Sequence, residues 1–339
     1  MGDIVVIGSG SWGTTLAMLV AESQGRCTLW VRDKEKALDI ATRRENVRFL
    51  PGVRLPDTLR IEHDPAAALS DANLVIMAVP MRHLETNLGV IGNVTDPAAT
   101  ILSGIKGLNP LSGERVSEVI SRLTSPAIAN RLVVLSGPNL AHEIAAGEPA
   151  TAVIAANQAS LAHEIQTRLR TPEFRTYVSD DVIGVELAGA LKNVIAIGAG
   201  MADGLRFGNN AKAALMTRGL SEITRLGVAA GADVLTFGGL AGMGDLIATC
   251  ASSHSRNHYV GHQLAEGRSL DEIQSRMVMV AEGVDTSRGA LILARRLGIE
   301  MPIVELINQT LFHKLPVSDA GQILMARELS HELRGLQSA

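Results

Sequence analysis

The chain has 339 residues, of which 46% are hydrophobic and 19% charged. That length suits two domains and that composition buries a sizeable core, so a mini-protein scaffold and a disordered chain are both excluded. The formal net charge of −4 gives no general pull toward phosphate backbones or anionic bilayers, so neither nucleic acid nor a membrane surface is an expected partner.

In chain order, Ile4–Ile7 is a short run rich in β-branched residues, followed by a glycine cluster and then a helical pattern over Thr15–Glu22. Further buried strands are expected at Cys27–Val31, Leu74–Val79, Thr100–Leu102, Arg131–Leu135 and Thr151–Ala155, each bounded by Gly, Pro or polar turn residues. This alternation of strands and helices predicts an α/β Rossmann-type doubly wound domain. After about Asp181 the β-rich runs cease, and helices are expected at Val185–Gly204, Lys212–Ala229, Asp271–Met277, Thr286–Leu297, Ile303–Leu311 and Ser318–Glu332. The expected division is residues 1–184 as a dinucleotide-binding domain and 185–339 as an all-α substrate-binding and catalytic domain, with the active site in the cleft between them.

Cys27 and Cys250 form no C-x-x-C pair and no His/Cys ligand cluster, which points to a reducing cytoplasm rather than to disulfides or zinc. Met1–Val5 carries no basic segment of a signal peptide, and the apolar glycine-rich stretches 193–202 and 235–244 are shorter than the roughly 18 residues of a transmembrane helix. No membrane insertion is expected. His83, His142, His254 and His258 are tempting as acid/base or metal groups, but outside His254 and His258, which adjoin Ser255-Arg256-Asn257, no pair has a helical ligand spacing with a supporting carboxylate, so no metal is expected. No heptad seam marks a dimer interface, which leaves a homodimer open.

The segment Gly8-Ser9-Gly10-Ser11-Trp12-Gly13 has the spacing G-x-G-x-x-G between a predicted strand and a predicted helix. Glycines there permit a tight turn and close approach to a pyrophosphate, which the N–H groups of the following helix can bind. Asp33 lies twenty residues beyond Gly13, where an acid binds the ribose hydroxyls of NAD, yet Arg32 beside it suits the 2′-phosphate of NADP. The alternatives are a solvated strand-end pair or a local salt bridge. The expected cofactor is NADPH or NADH, with NADP favoured.

With this loop, seven ordered motifs run along the chain. They are Gly8–Gly13 with Trp12, Ser103–Gly107, Ser136-Gly137-Pro138-Asn139-Leu140-Ala141, Glu186–Val194, Gly239–Leu246, Ser255-Arg256-Asn257 and Ala281-Glu282-Gly283. In these the chain resembles the bacterial-type NAD(P)-dependent glycerol-3-phosphate dehydrogenases over nearly its whole length. The resemblance implies reversible hydride transfer between dihydroxyacetone phosphate and sn-glycerol 3-phosphate, supplying glycerophospholipid synthesis. The rival readings are a reductase of another small keto or hydroxy acid and a non-catalytic NAD(P) sensor.

Reducing a ketone builds negative charge on its oxygen, which a nearby acid must stabilise and protonate. Lys192 lies in an apolar, small-residue helix, where burial would depress its pKa toward working pH, although a lysine can also snorkel to water. The match to the family's Leu-Lys-Asn motif assigns it as the general acid/base. The resemblance places Lys106 at both substrate and cofactor, and Asp245 beside the substrate and Lys192. It gives the substrate phosphate to Ser255, Arg256 and Asn257, with Arg256 also near the cofactor. Gly137 and Asn139 fall on the substrate side, and Gly8, Gly10, Ser11, Trp12, Gly13, Arg32, Ala141, Val280 and Glu282 on the cofactor side. Many relatives carry Ser or Thr where this chain has Asn139, an amide that can replace a hydroxyl as donor but is longer and planar.

Overall fold

The computed structural model describes residues 3–92 and 94–326. It divides into two compact units, Met1–Ile105 with Val116–Val182, and Lys106–Arg115 with Ile183–Ala339. The sequence expectation set 1–184 apart from 185–339; in the structure the decapeptide Lys106–Arg115 groups with the second unit.

The first unit is built on strands β1 (Asp3–Ile7), β2 (Cys27–Trp30), β5 (Leu59–Glu62), β6 (Ala72–Met77), β7 (Thr100–Ser103), β8 (Leu132–Ser136), β9 (Ala150–Ala155) and β10 (Phe174–Ser179). The short strands β3 (Glu45–Asn46) and β4 (Leu50–Arg54) form a separate antiparallel pair. The large sheet runs in the order β10-β9-β8-β7-β6-β1-β2-β5. All its pairings are parallel except β8 with β9. Ile7 pairs with both Trp30 and Met77, so β1, β2 and β6 end level with one another. The chain turns in opposite directions across the sheet from β1, which opens a crevice at the carboxyl end of that strand.

Strand β1 reads as a continuous apolar run because both its faces are covered. Ile4 and Val6 join a core with Leu16, Val20 and Ile165, while Val5 and Ile7 join another with Trp30, Leu84 and Ile120. Strands β5 and β10 escape an apolar-run search because they lie at the sheet edges and alternate buried with exposed positions, as in Phe174-Arg175-Thr176-Tyr177.

The second unit is helical among its described residues. Its helices are Val182–Gly204, Gly208–Ala229, Val234–Phe237, Asp245–Ala251, Arg256–Ala265, Leu270–Arg276, Glu282–Leu297, Pro302–Phe312 and Val317–Met325, with a π-helical turn at Leu240–Gly244. The last helix was expected to reach Glu332, and residues 327–332 lie outside the described residues. The doubly wound sheet and the helical second unit match the fold class read from the sequence.

The helix Val182–Gly204 corrects one expectation, because with 23 residues it is long and apolar enough to cross a bilayer. However, 94% of its most apolar window is buried inside the protein, so that apolarity serves the core. The stretch Val234–Ala251 also passes by length and composition, with 39% of its window buried. Small residues let the long helix be crossed at backbone contact. A Cβ on Gly261 would stand 1.8 Å from the Ile197 carbonyl oxygen, so helix Arg256–Ala265 can lie against it only with glycine there.

Candidate active site

In the first unit, the loop after β1 is shaped by its glycines. Gly8 has φ +117°, and a Cβ on Gly13 would sit 1.8 Å from the Gly8 carbonyl oxygen. A Cβ on Gly10 would meet nothing within 4 Å, so the loop is open there. Gly10 is also the N-cap of helix Ser11–Gln24 and offers no side-chain cap, which leaves that helix end to N–H groups and its partial positive charge. A pyrophosphate fits this arrangement. Buried Asn46 braces the loop from β3, donating through Nδ2 to the Ser9 carbonyl at 2.9 Å and to Thr14 Oγ1 at 2.8 Å. Trp12 donates its indole N–H to the Gly104 carbonyl at 3.2 Å, tying the helix start to the loop after β7. The carbonyl of Ala141 accepts from Thr15 Oγ1 at 3.1 Å, which holds helix Ala141–Ala145 beside Ser11–Gln24.

At the end of β2 the neighbours Arg32 and Asp33 are both exposed. Asp33 caps helix Lys34–Arg43. One carboxylate oxygen accepts from the Lys36 N–H at 3.0 Å and the other pairs with Lys36 Nζ at 3.1 Å. These hydrogen bonds hold its carboxyl below the usual carboxylate range. Lys36 therefore balances Asp33, and Arg32 leaves the strand end with a net positive charge.

The turn after β8 places Gly137 at φ +146°, against Ala152 and Thr151 of β9. Asn139 donates through Nδ2 to the Thr151 carbonyl at 2.9 Å. Because a carbonyl can only accept, this fixes the amide orientation and leaves Oδ1 facing the other way, buried and without a protein partner. Asn139 thus keeps an acceptor oxygen uncommitted, with its donor side already engaged.

The second unit carries the charged centre. Lys192, only 6% exposed, projects from helix Val182–Gly204 and brings Nζ to 2.9 Å from Asp245 Oδ1. Lys106, at the start of the decapeptide, brings its Nζ to 2.7 Å from Asp245 Oδ2. One buried carboxylate is thus shared by two ammonium groups. Burial pushes the Asp245 carboxyl up, but Lys106 and Lys192 together hold it below the usual carboxylate range. Burial pulls Lys192 down to about 8, with attraction from Asp245 opposing and repulsion from Lys106 assisting. Thr249, one helical turn beyond Asp245, accepts from Lys192 Nζ and donates to Asp245 Oδ1 at 3.2 Å.

A chain of amides extends from this centre. Asn193 donates to the Lys106 carbonyl at 3.1 Å, and its Oδ1 accepts from Asn257 Nδ2 at 2.9 Å. Asn257 Oδ1 in turn accepts from the Gly283 N–H at 2.9 Å. Ser255 is the N-cap of helix Arg256–Ala265, its Oγ accepting from the His258 N–H at 3.2 Å. Arg256 donates to the Val280 carbonyl at 2.9 Å, next to the helix that begins at Glu282. Ser255, Arg256 and Asn257 therefore form a helix N-terminus rather than a loop, a backbone setting suited to a phosphate.

The structure thus gathers Lys106, Lys192 and Asp245 at one point, with Asn257 one amide away. Gly8–Gly13, Arg32, Gly137, Asn139 and Ala141 all belong to the first unit. Sequence reasoning missed Thr249 and Asn46. The first could have been found by its i, i+4 spacing from Asp245, whereas nothing local marked Asn46. Among the histidines, His258 pairs with Asp203 at 2.7 Å, and Asp203 also meets Lys212 at 2.9 Å. No group of three His, Cys, Asp or Glu able to hold a metal ion occurs among the described residues.

Comparison with known proteins gives consistent matches. A family model described as NAD-dependent glycerol-3-phosphate dehydrogenase N-terminus matches residues 3–162, and the corresponding C-terminus model matches residues 181–322. A glycerol-3-phosphate dehydrogenase (NAD(P)+) of Prosthecochloris aestuarii is 45% identical over 330 residues, covering 97% of this chain and 99% of that protein. One from Dehalococcoides mccartyi is 42% identical, covering 99% and 94%. Among solved structures, glycerol-3-phosphate dehydrogenase from Coxiella burnetii superposes with a TM-score of 0.91 at 34% identity, covering 96% of this chain and 99% of that one.

Proposed function

We infer the activity from one premise: the chain belongs to the NAD-dependent glycerol-3-phosphate dehydrogenase family. On that premise it is an oxidoreductase that reduces dihydroxyacetone phosphate reversibly to sn-glycerol 3-phosphate with NADPH or NADH. The observation that carries the chemical reading is the buried Asp245 carboxylate held between Lys106 and Lys192.

The cofactor, when bound, supplies the hydride. The protein's own part is the proton and the handling of charge. Lys192, at about 8, is mostly protonated at neutral pH and close enough to neutrality to release its proton readily. Its Nζ proton passes to the ketone oxygen as negative charge develops there, and the neutral amine takes it back in the reverse direction. Asp245 holds Lys192 in place, Thr249 fixes its rotamer, and Lys106 adds a second positive charge near the developing alkoxide. We assign the substrate phosphate to Ser255, Arg256 and Asn257 at their helix N-terminus. Gly137 and Asn139 fall to the substrate side by the same reading, with Ala141, Val280 and Glu282 on the cofactor side.

The loop Gly8–Gly13, open at Gly10 and uncapped at its helix, fits the cofactor pyrophosphate. NADPH is the favoured form because Asp33 is engaged by Lys36 while Arg32 remains cationic beside it. We read the enzyme as cytoplasmic, a reading that its two free, buried cysteines support, and as feeding glycerophospholipid synthesis. Purified protein should oxidise NADPH only after dihydroxyacetone phosphate is added, and faster than NADH at equal low concentrations. Equal turnover with unphosphorylated dihydroxyacetone would remove the phosphate role from Ser255–Asn257 and favour a reductase of another small keto compound.

A further inference from the structure

Arg32 is exposed on its strand end, and a free arginine there would lose side-chain entropy on each binding event. The structure shows it held. Its Nη2 donates to Asn87 Oδ1 at 2.6 Å, and its guanidinium carbon lies 6.0 Å from the centre of the Trp30 ring. Asn87 sits on helix Leu84–Ile91 and is 4% exposed, an unusual setting for an amide. Its Nδ2 donates to the His83 carbonyl at 2.6 Å. Since that carbonyl can only accept, the amide orientation is fixed, and its oxygen must face Arg32.

Three groups thus act in series: the His83 carbonyl orients Asn87, Asn87 orients Arg32, and Trp30 lies beneath the guanidinium. One Arg32 nitrogen is consumed by Asn87, and the remaining N–H donors of the fork stay available. The acid that could compete for them, Asp33, is occupied by Lys36 through both oxygens. We propose that Asn87 is a positioning residue for cofactor choice, fixing Arg32 so that it selects a 2′-phosphorylated dinucleotide over its unphosphorylated counterpart. The proposal rests on the reading that Arg32 meets the cofactor 2′-phosphate.

The test measures equilibrium binding in the absence of substrate, titrating NADPH and NADH separately by calorimetry into wild type, Asn87→Ala, Arg32→Ala and the double variant. Asn87→Ala should weaken NADPH by about 5-fold, the scale of restoring freedom to one ordered side chain, and NADH by less than about 2-fold. Arg32→Ala should weaken NADPH further still. Adding Asn87→Ala to Arg32→Ala should change nothing more, because Asn87 acts only through Arg32. Equal weakening of both cofactors by Asn87→Ala would make Asn87 a merely structural residue and overturn the proposal, as would an additive double variant. An Arg32→Ala protein with unchanged NADPH affinity would instead overturn the assignment of Arg32 itself.

Discussion

Replacing Asp245 by Asn tests the charged centre directly, since it keeps the shape and removes the charge shared by two ammonium groups at 2.7 and 2.9 Å. At an effective dielectric of about 20, two unit charges about 4 Å apart interact by about 4 kcal/mol. At about 1.36 kcal/mol per unit, that is close to three pKa units, and about two are expected once Lys106, no longer drawn to the same carboxylate, relaxes away from Lys192. With Lys192 as the proposed acid, reduction in wild type needs its protonated form, so kcat/KM for dihydroxyacetone phosphate should fall as pH rises through about 8, while glycerol 3-phosphate oxidation should rise through the same range. In Asp245→Asn the midpoint moves down toward about 6, which lowers reduction at pH 7.5 by about 25-fold and restores much of it near pH 5.5. The assay is a pH series of kcat/KM followed by NADPH absorbance. Reading the midpoint rather than the plateau separates this effect from any lost contact between Asp245 and substrate. A midpoint that stays near about 8, or moves up, would refute Asp245 as the counter-ion of Lys192.

Two further outcomes are expected. Lys192→Met, which keeps length and removes the transferable proton, should lower turnover by a factor on the order of 100 or more. Its circular dichroism should be unchanged, and near-normal turnover would end the acid/base assignment. Gly13→Ala should destabilise the first unit by about 2 kcal/mol or more, because the added Cβ meets the Gly8 carbonyl oxygen and backbone cannot step aside cheaply. It should also weaken NADPH binding, and a variant with native urea midpoint and affinity would contradict the close approach.

What was legible in the sequence follows from where each signal is stored. The buried strands β1, β2, β6, β7, β8 and β9 were expected within about two residues of their observed limits, because burial on both faces makes them continuous apolar runs. Strands β5 and β10 alternate, and β3 with β4 holds little apolar sequence, so the same search passed over them. Within the site, Lys106, Lys192 and Asp245 were found through motifs far apart in the chain, but that they share one carboxylate is a fact of tertiary structure. The engagement of Asp33 by Lys36 was locally encoded as a helix N-cap, three residues apart, and its meaning emerged only beside Arg32. Asn46 and Asn87 were invisible for a different reason: each acts on a segment more than thirty residues away.

The decapeptide Lys106–Arg115 gives the chain an interleaved architecture. Polypeptide leaves the sheet unit after Ile105, contributes ten residues to the helical unit and returns at Val116. Within the helical unit the segment is pinned by the Arg115–Glu186 ion pair at 2.7 Å and by Asn193 on the Lys106 carbonyl. The helical unit is therefore not a contiguous module that recombination could transplant by a single cut near residue 183. A chain severed there would leave Asp245 with one ammonium instead of two, and Lys192, freed of repulsion from Lys106, would titrate higher and surrender its proton less readily. The acidity of Lys192 is thus set partly by Lys106, in the stretch of sequence that follows β7, more than eighty residues before it in the chain.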